Sequence, residues 1–341
     1  MEILITGGNG LLGHHLVSAL LERGDGVRVL ALPQEDTAWL EERGVAVLRG
    51  DIRLPETLAT PMRGADGVLH LAAMMGLWRP MQDYHDVNVA GTEHVCRAAL
   101  AAGVARLVHI SSWTVYGMAL DRPAAEDFPL LPFREPYAVT KAIGDQLVRR
   151  MAEQEGLPAV VIRPGTFFGP GDRLHFGRMA DRVRDGKGIV VGRGANALPF
   201  AYVTDVVEGL LLALDHPSAI GQAYNIANDQ PLSQGEFLGA IAGELGVRAP
   251  RVHVPYRALY AAAAVAERLA AAQGADREPL VTRLGVKLFG TDNRHAIDKA
   301  RRELGYRPRV PIREGVALAA DWYLGRRSRA PARPDRAISG R

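Results

Sequence analysis

Tyr137 and Lys141 stand four residues apart in the run Pro136-Tyr-Ala-Val-Thr-Lys141. On a helix, positions i and i+4 share a face, so the Lys ammonium can lie beside the Tyr phenol. A neighbouring positive charge favours phenolate and is expected to draw the Tyr pKa down from about 10. That would make Tyr137 a proton donor and acceptor at working pH. Near the start of the chain, Thr6-Gly-Gly-Asn-Gly-Leu-Leu-Gly13 sets Gly7, Gly10 and Gly13 between a strand and a helical run. This is the context in which glycines make a tight turn, admit a pyrophosphate to the backbone and offer it a helix N-terminus. The two motifs, in this order, predict hydride transfer to or from a nicotinamide.

Such chemistry needs a sheet to hold it. Residues 3–5 read as a strand entering the glycine loop, and 11–21 carry helical periodicity. Further strands are expected at 27–32, 45–48, 67–73, 106–110 and 159–163, with helices at 88–102 and from Tyr137 to about Glu155. Apolar strands alternating with helices predict an α/β fold: a doubly wound parallel sheet of Rossmann type with a smaller C-terminal substrate lobe. The expected division is a dinucleotide-binding domain at 1–165, with 200–228 returning to it, and a substrate lobe over most of 166–324. Within that lobe, helices are expected at 230–246 and 255–272. The run 258–266 is apolar but ends at Glu267, well short of the ~20 residues that span a bilayer. A core helix is its first reading, ahead of a wall for an apolar substrate or a membrane surface.

In the 341-residue chain, 48% hydrophobic and 23% charged residues suit a soluble globular protein. The one cysteine, Cys96, cannot form an intrachain disulfide and reads as packing. No leader precedes the first strand, so a cytoplasmic protein without an integral membrane segment is expected. The net charge is +3, but residues 325–341 carry six Arg against Asp335, and taking that +5 away leaves −2. The basic excess describes a disordered tail, not a nucleic-acid-binding face. Nothing calls for a metal.

Asp51, at the end of the third strand, is a candidate acceptor for an adenine amino group, or else a helix cap. Leu71, Ala72 and Ala73 would wall the cofactor's ribose. The acid that commonly ends the second strand of NAD-binding folds is missing, because the register reads Ala31-Leu32-Pro33. No Arg stands there for a 2′-phosphate either. Glu35 and Asp36, slightly beyond, would repel a phosphate and tilt the choice toward NAD, with NADP still open.

Ile110-Ser-Ser-Trp-Thr-Val-Tyr-Gly117 closes the fifth strand, and Ser112 precedes Tyr137 by 25 positions. With the glycine loop, Asp51, His70-Leu-Ala-Ala73, Asn88-Val-Ala-Gly-Thr92, Tyr137-x-x-x-Lys141 and Arg163-Pro-Gly-Thr-Phe-Phe-Gly-Pro-Gly171, the chain resembles the extended short-chain dehydrogenase/reductase superfamily, the NAD-dependent epimerase/dehydratase family, over about Met1 to Trp322. The resemblance implies that Tyr137 is the acid/base and that Lys141 holds the nicotinamide ribose while tuning it. Ser112 would polarise the substrate oxygen, with Thr114 a helper. It implies cofactor contacts at Gly7, Gly10, Leu11, Leu12, Gly13, Asp51, Ile52, Leu71, Ala72, Ala73, Asn88, Tyr137, Lys141 and Pro164. Asn88 is expected as a structural polar residue near the Lys. Met75, Trp78 and Thr166, beside Ser112 and Thr114, are candidates for the substrate pocket. A homodimer through the Asn88 and Tyr137 helices is the family expectation.

Departures from the family's pattern point to a branch. Enzymes that dehydrate sugars carry Asp-Glu where this chain has Trp113-Thr114. The two Arg that clamp a sugar nucleotide's diphosphate are replaced in Leu198-Pro199-Phe200 and Phe289-Gly290-Thr291-Asp292, although Arg193 or Arg294 could substitute. The remaining pattern is similar to 3β-hydroxysteroid dehydrogenases, sterol 4-carboxylate decarboxylating dehydrogenases and dihydroflavonol-type reductases, notably over 192–203 and 296–308. That resemblance implies an NAD(P)-dependent oxidoreductase interconverting a secondary alcohol and a ketone on a non-nucleotide, apolar cyclic substrate of steroid, terpenoid or polyketide type. The alternatives are a nucleotide-sugar epimerase or dehydratase with tightly bound NAD, and a protein that binds the dinucleotide without using it.

Overall fold

The computed structural model describes residues 1–75, 78–273 and 279–326; most of the basic tail, 327–341, lies outside the described residues. Among them run eleven strands: β1 (Glu2–Thr6), β2 (Gly26–Ala31), β3 (Ala46–Arg49), β4 (Gly67–His70), β5 (Arg106–Ile110), β6 (Ala159–Pro164), β7 (Thr166–Phe168), β8 (Ile189–Val191), β9 (Phe200–Tyr202), β10 (Ala223–Ile226) and β11 (Val252–Val254). The helices of eight or more residues are α1 (Leu11–Arg23), α2 (Thr92–Ala102), α3 (Pro136–Glu155), α4 (Val203–Asp215), α5 (Gln234–Leu245), α6 (Tyr256–Ala272), α7 (Arg283–Gly290) and α8 (Ile312–Tyr323).

Seven strands make one sheet in the order β10-β6-β5-β4-β1-β2-β3, with every pairing parallel. β4, β5 and β6 are buried along their whole length, which is why they are apolar on both faces. Alternation sorts the side chains. Ile3, Ile5, Val108 and Val160 meet Leu16, Leu20, Val206 and Leu210 of α1 and α4. Leu4, Val68, Leu107 and Val161 meet Val95, Cys96, Leu147 and Val148 of α2 and α3. Cys96 is fully buried, and burial pushes its thiol up to about 12, so it packs and does not react. The chain runs outward from β1 to β3 and returns on β1's other side as β4, which opens a crevice at the carboxyl ends of β1 and β4.

A second core lies after β6, where Phe168, Phe200 and Phe237 pack with Val316 and Ala319, and the Phe200 and Phe237 rings stack at 4.1 Å. β9 pairs with β7 outside the main sheet, because β10 already occupies the edge beside β6. A buried polar network ties β6 to α3, to the turn after β5 and to β10. Arg163 grips Asp145 of α3 through Nε and Nη2, both at 2.8 Å, and donates to the Tyr116 hydroxyl at 2.7 Å. Tyr116 in turn donates to Asn225 Oδ1 of β10 at 2.7 Å.

The core-helix reading of residues 255–272 is overturned. In α6 only Ala263 is buried, while Val265 and Leu269 are 55% and 56% exposed. Its inner side rests on Val191 and Val286, and a helix this rich in alanine needs little burial to form. No helix among the described residues is long and apolar enough to cross a membrane.

Candidate active site

The crevice begins at the glycine loop. Gly7 has φ +74°, and a Cβ there would stand 2.7 Å from the Ala72 amide nitrogen. A Cβ on Gly13 would stand 2.3 Å from the Gly8 carbonyl, so the loop, α1 and the end of β4 close up only with glycines. At Gly10 the only near neighbour is the Gly7 carbonyl, at 3.5 Å. Gly10 is the N-cap of α1 and no side chain caps that helix, so the first-turn amides, including Leu11 and Leu12, point at an open cradle. This arrangement fits a pyrophosphate. Leu71, Ala72 and Ala73, each partly buried, follow β4 beside it. Beneath, the His70 ring bridges Thr6 Oγ1 at 2.7 Å and Thr92 Oγ1 at 3.0 Å. Burial lowers His70 to about 3, so its ring is neutral.

Asp51 lies past β3 in a cavity of about 310 Å³ shared with Arg53, Leu54, Asp86 and Ala90. Its carboxylate takes the Arg53 backbone amide at 2.9 Å and the guanidinium at 2.5 to 3.1 Å, which holds it below the usual carboxylate range. The helix-cap reading of Asp51 is not met, since the short helix Pro55–Thr57 has Leu54 at its N-cap and no side-chain cap, and the carboxylate is held by Arg53 instead. Ile52 is buried, and its carbonyl meets His94 Nδ1 at 2.9 Å.

The reactive cluster forms where β5 ends beside the start of α3. Ser112 is extended and caps the turn Trp113–Tyr116; its Oγ receives the Thr114 amide at 3.2 Å and the Thr114 hydroxyl at 2.9 Å. Glu135 caps α3 by accepting from the Tyr137 and Ala138 amides, both at 3.0 Å, and Pro136 takes the first helical position. This start brings the half-buried Tyr137 phenol beside the Ser112 side chain. One turn on, the buried Lys141 ammonium donates to the Ile110 carbonyl.

That last contact corrects the expected tuning. Burial pushes the Tyr137 phenol up to about 12, and the nearby Ser112 side chain only partly offsets it. Lys141 is lowered to about 8, because desolvation disfavours its charge. Its ammonium is held by the strand backbone, not by the phenol. At neutral pH Tyr137 is therefore a protonated acid.

Asn88 sits in a π-turned stretch, Asp86–Gly91, between the short helix Met81–His85 and α2. Its amide pairs with both backbone groups of Met74, at 2.8 and 3.0 Å, and donates to Thr140 Oγ1 at 3.0 Å. It anchors the segment that carries Met75, which is 40% exposed, and the half-buried Trp78. Pro164 ends β6, and Thr166 accepts from the Trp113 indole at 2.9 Å. The His295 ring lies 5.4 Å from that of Trp113 and 5.7 Å from that of Tyr116, with both nitrogens buried and without a hydrogen-bond partner among the described residues. Sequence reasoning used Trp113 only as a departure from the dehydratase pattern, and passed over His295 and the role of Arg163. For His295 no motif or spacing could have raised it. Arg193 and Arg294, the possible diphosphate clamps, are both exposed.

Comparison with known proteins agrees with this geometry. A model of the NAD dependent epimerase/dehydratase family matches residues 3–227. The chain is 35% identical to the 2-alkyl-3-oxoalkanoate reductase of Stenotrophomonas maltophilia (strain K279a), over 93% of this chain and 97% of that one. It is 31% identical to the 3-beta-hydroxysteroid dehydrogenase of Mycolicibacterium neoaurum, over 94% and 91%. Among solved structures, the UDP-glucose 4-epimerase of Thermus thermophilus in complex with NAD superposes with a TM-score of 0.75 at 27% identity, over 95% of this chain and 99% of that one. A glycine cradle, a Ser–Tyr pair with a buried Lys beneath, and dehydrogenase and reductase relatives matched end to end lead to one conclusion: the chain is an enzyme of the NAD dependent epimerase/dehydratase family.

Proposed function

We propose that the protein interconverts a ketone and a secondary alcohol on a non-nucleotide, hydrocarbon-rich substrate, and that its geometry favours ketone reduction. The observation that carries this is the Tyr137 phenol, set beside the Ser112 side chain at the start of α3, with the buried Lys141 one turn on. Protonated at neutral pH, it can donate to the oxygen that becomes an alkoxide, while the Ser112 hydroxyl orients that oxygen. The Lys141 ammonium, one turn along α3 and held by the Ile110 carbonyl, supplies positive charge near the pair. Bound nicotinamide supplies the hydride, or takes it in the reverse direction. In this reading Gly7, Gly10, Leu11, Leu12 and Gly13 hold the pyrophosphate, Asp51 and Ile52 border the adenine, and Leu71 to Ala73, Asn88 and Pro164 line the rest of the path. Met75, Trp78, Thr114 and Thr166 border the substrate. NAD is the preferred dinucleotide, since Glu35 and Asp36 oppose a 2′-phosphate.

The substrate class rests on the two curated relatives, whose names share an oxygen function on a carbon flanked by hydrocarbon, in a chain or in a ring. The exposed Arg193 and Arg294, and the lack of an Arg at either clamp position, weigh against a sugar nucleotide. A homodimer through α2 and α3 and a cytoplasmic location belong to the same reading. Ile143, 40% exposed on α3, supports the first, and the lone buried Cys96 suits the second.

The test supplies purified protein and NADH with a 2-alkyl-3-oxoalkanoate, a 3-ketosteroid and UDP-glucose in turn. NADH oxidation with either ketone and none with the sugar is expected. Conversion of UDP-glucose without added dinucleotide would establish the epimerase reading instead.

A further inference from the structure

The turn that carries Ser112 leaves through a constrained backbone. Gly117 has φ +91°, and a Cβ there would stand 2.5 Å from the Leu131 carbonyl. Its amide closes the turn on the Thr114 carbonyl at 3.2 Å. Two residues on, Ala119 has φ +63° and is the one non-glycine residue with positive φ among the described residues. A Cβ disfavours that region, so neighbouring groups must hold the backbone there. Glycine would adopt it freely.

The holder is Asn293. Its Oδ1 accepts from the Ala119 amide at 3.1 Å, across 174 positions of sequence. Its Nδ2 donates to the Thr291 carbonyl at 3.0 Å and to the Leu288 carbonyl of α7 at 3.3 Å. Asn293 is fully buried, and its backbone amide is tied to the Ala197 carbonyl at 3.3 Å. On either side, backbone bonds join the two segments. The Leu120 amide donates to the Asp292 carbonyl at 3.1 Å, and the Ala124 amide to the Arg294 carbonyl at 3.0 Å. α7 also reaches the other reactive segment. Lys287 lies 4.9 Å from the Phe133 ring, and the Phe133 carbonyl accepts from the amide of Glu135, the cap of α3. One end of a substrate-lobe helix therefore touches both the exit of the Ser112 turn and the approach to Tyr137.

An alanine held left-handed does nothing for stability that glycine would not do without strain. What the constraint fixes is the direction in which the chain leaves Ser112 and Thr114, whose hydroxyls meet at 2.9 Å beside Tyr137. A displacement of about 1 Å in such a group can cost about a hundredfold in rate. We propose that Asn293 is a positioning residue: by holding Ala119 left-handed from the end of α7, it aims the Ser112 hydroxyl at the substrate oxygen and couples that aim to the substrate lobe. This rests on the ketone-reducing reading of the site, in which Ser112 orients that oxygen.

The experiment follows two signals from the purified full-length chain. One is amide hydrogen exchange by mass spectrometry over residues 112–121; the other is NADH oxidation with a 2-alkyl-3-oxoalkanoate. Asn293→Ala should speed exchange in that segment by about tenfold or more, with the glycine loop at 6–14 unchanged. It should lower kcat/KM by about ten- to a hundredfold, chiefly through kcat, with NAD⁺ affinity within about twofold. Ala119→Val leaves Asn293 in place but resists the left-handed backbone, so it should reproduce the loss. Adding Ala119→Gly to Asn293→Ala should restore at least about half of kcat, because glycine needs no holder. A merely structural contact would not be repaired in this way. Should Asn293→Ala fail to fold, Ala119→Val still decides, because it removes no buried partner. Unchanged exchange and turnover in Asn293→Ala, or a double variant as slow as the single one, would overturn the assignment while the oxidoreductase reading stands. Wild type that reduces no ketone would remove that reading and the substrate half of the proposal with it; exchange over 112–121 alone would then decide whether Asn293 holds the turn.

Discussion

The wall of the crevice built from residues 1–75 and the wall built after β5 are held by different means. On the first, backbone and small residues set the shape: Gly7 closes on Ala72, Asn9 and Arg49 clasp the turn after β2, and Asn88 pins Met74. On the second, side chains set it: Trp113 reaches Thr166, and the His295 ring nitrogens find no hydrogen-bond partner among the described residues. A ligand that never changes can be met by a frame with no slack. One that differs between relatives is met by groups that single substitutions can exchange.

The sharpest test of that division is Tyr137→Phe, which should lower kcat/KM by about 10³ while the dissociation constant for NAD⁺ shifts less than about twofold. Steady-state rates and calorimetry report the two numbers. Retained turnover would remove the proton donor, and lost NAD⁺ binding would mean that the two walls are not separable. Next, Asp145→Ala strands the buried Arg163 that joins them, and urea unfolding should show a loss of about 3–5 kcal/mol. A loss under about 1 kcal/mol would mean that the network only fills space. Gly13→Ala presses a methyl on the Gly8 carbonyl and should cost about 1–3 kcal/mol, with weaker NAD⁺ binding. Unchanged affinity would show that the frame has slack after all.

The pH dependence follows from Lys141. With its pKa lowered to about 8, it is charged below that pH and neutral above it. Loss of that charge changes the field around Tyr137, so kcat/KM should fall as pH rises through about 8, and Lys141→Arg should flatten that limb. Stability moves the other way. The unfolded chain keeps the Lys proton up to about 10.5, so between about 8 and 10.5 it binds more protons than the native state and stability rises with pH. A pH–rate limb unmoved in Lys141→Arg would place it on another group. The smallest effect is expected at His295→Phe, within about 1 kcal/mol of wild type because no hydrogen bond is lost. A large rise in KM there would reveal polar recognition on the substrate wall.

Much of the frame could be read from the chain alone, because glycine spacing, strand–helix alternation and the Ser112, Tyr137 and Lys141 offsets are local patterns. The tuning could not. Whether Lys141 lowers the Tyr137 pKa depends on where its ammonium points and on burial, and both were set by the packing of α3 on β5. Asp51 was legible as an acid but not as one gripped by Arg53. The apolar run in α6 suggests a core helix, yet composition does not reveal how little surface stands opposite it. Asn293 reaches Ala119 only across 174 positions, and His295 reaches Trp113 only across 182. Contacts of that kind leave no periodicity.

The π-turned stretch Asp86–Gly91 has a consequence for how this family can change over time. It holds more residues per turn than the ordinary ladder, within a helical stretch that runs on unbroken into α2. Deleting one position there would let the ladder close and swing the preceding segment by about 100°. The amide grip on Met74 would be lost, and the rim that carries Met75 and Trp78 would be re-aimed. Gain or loss of one position at this spot would thus re-aim Met75 and Trp78 while the Tyr137 and Lys141 helix stays where it is.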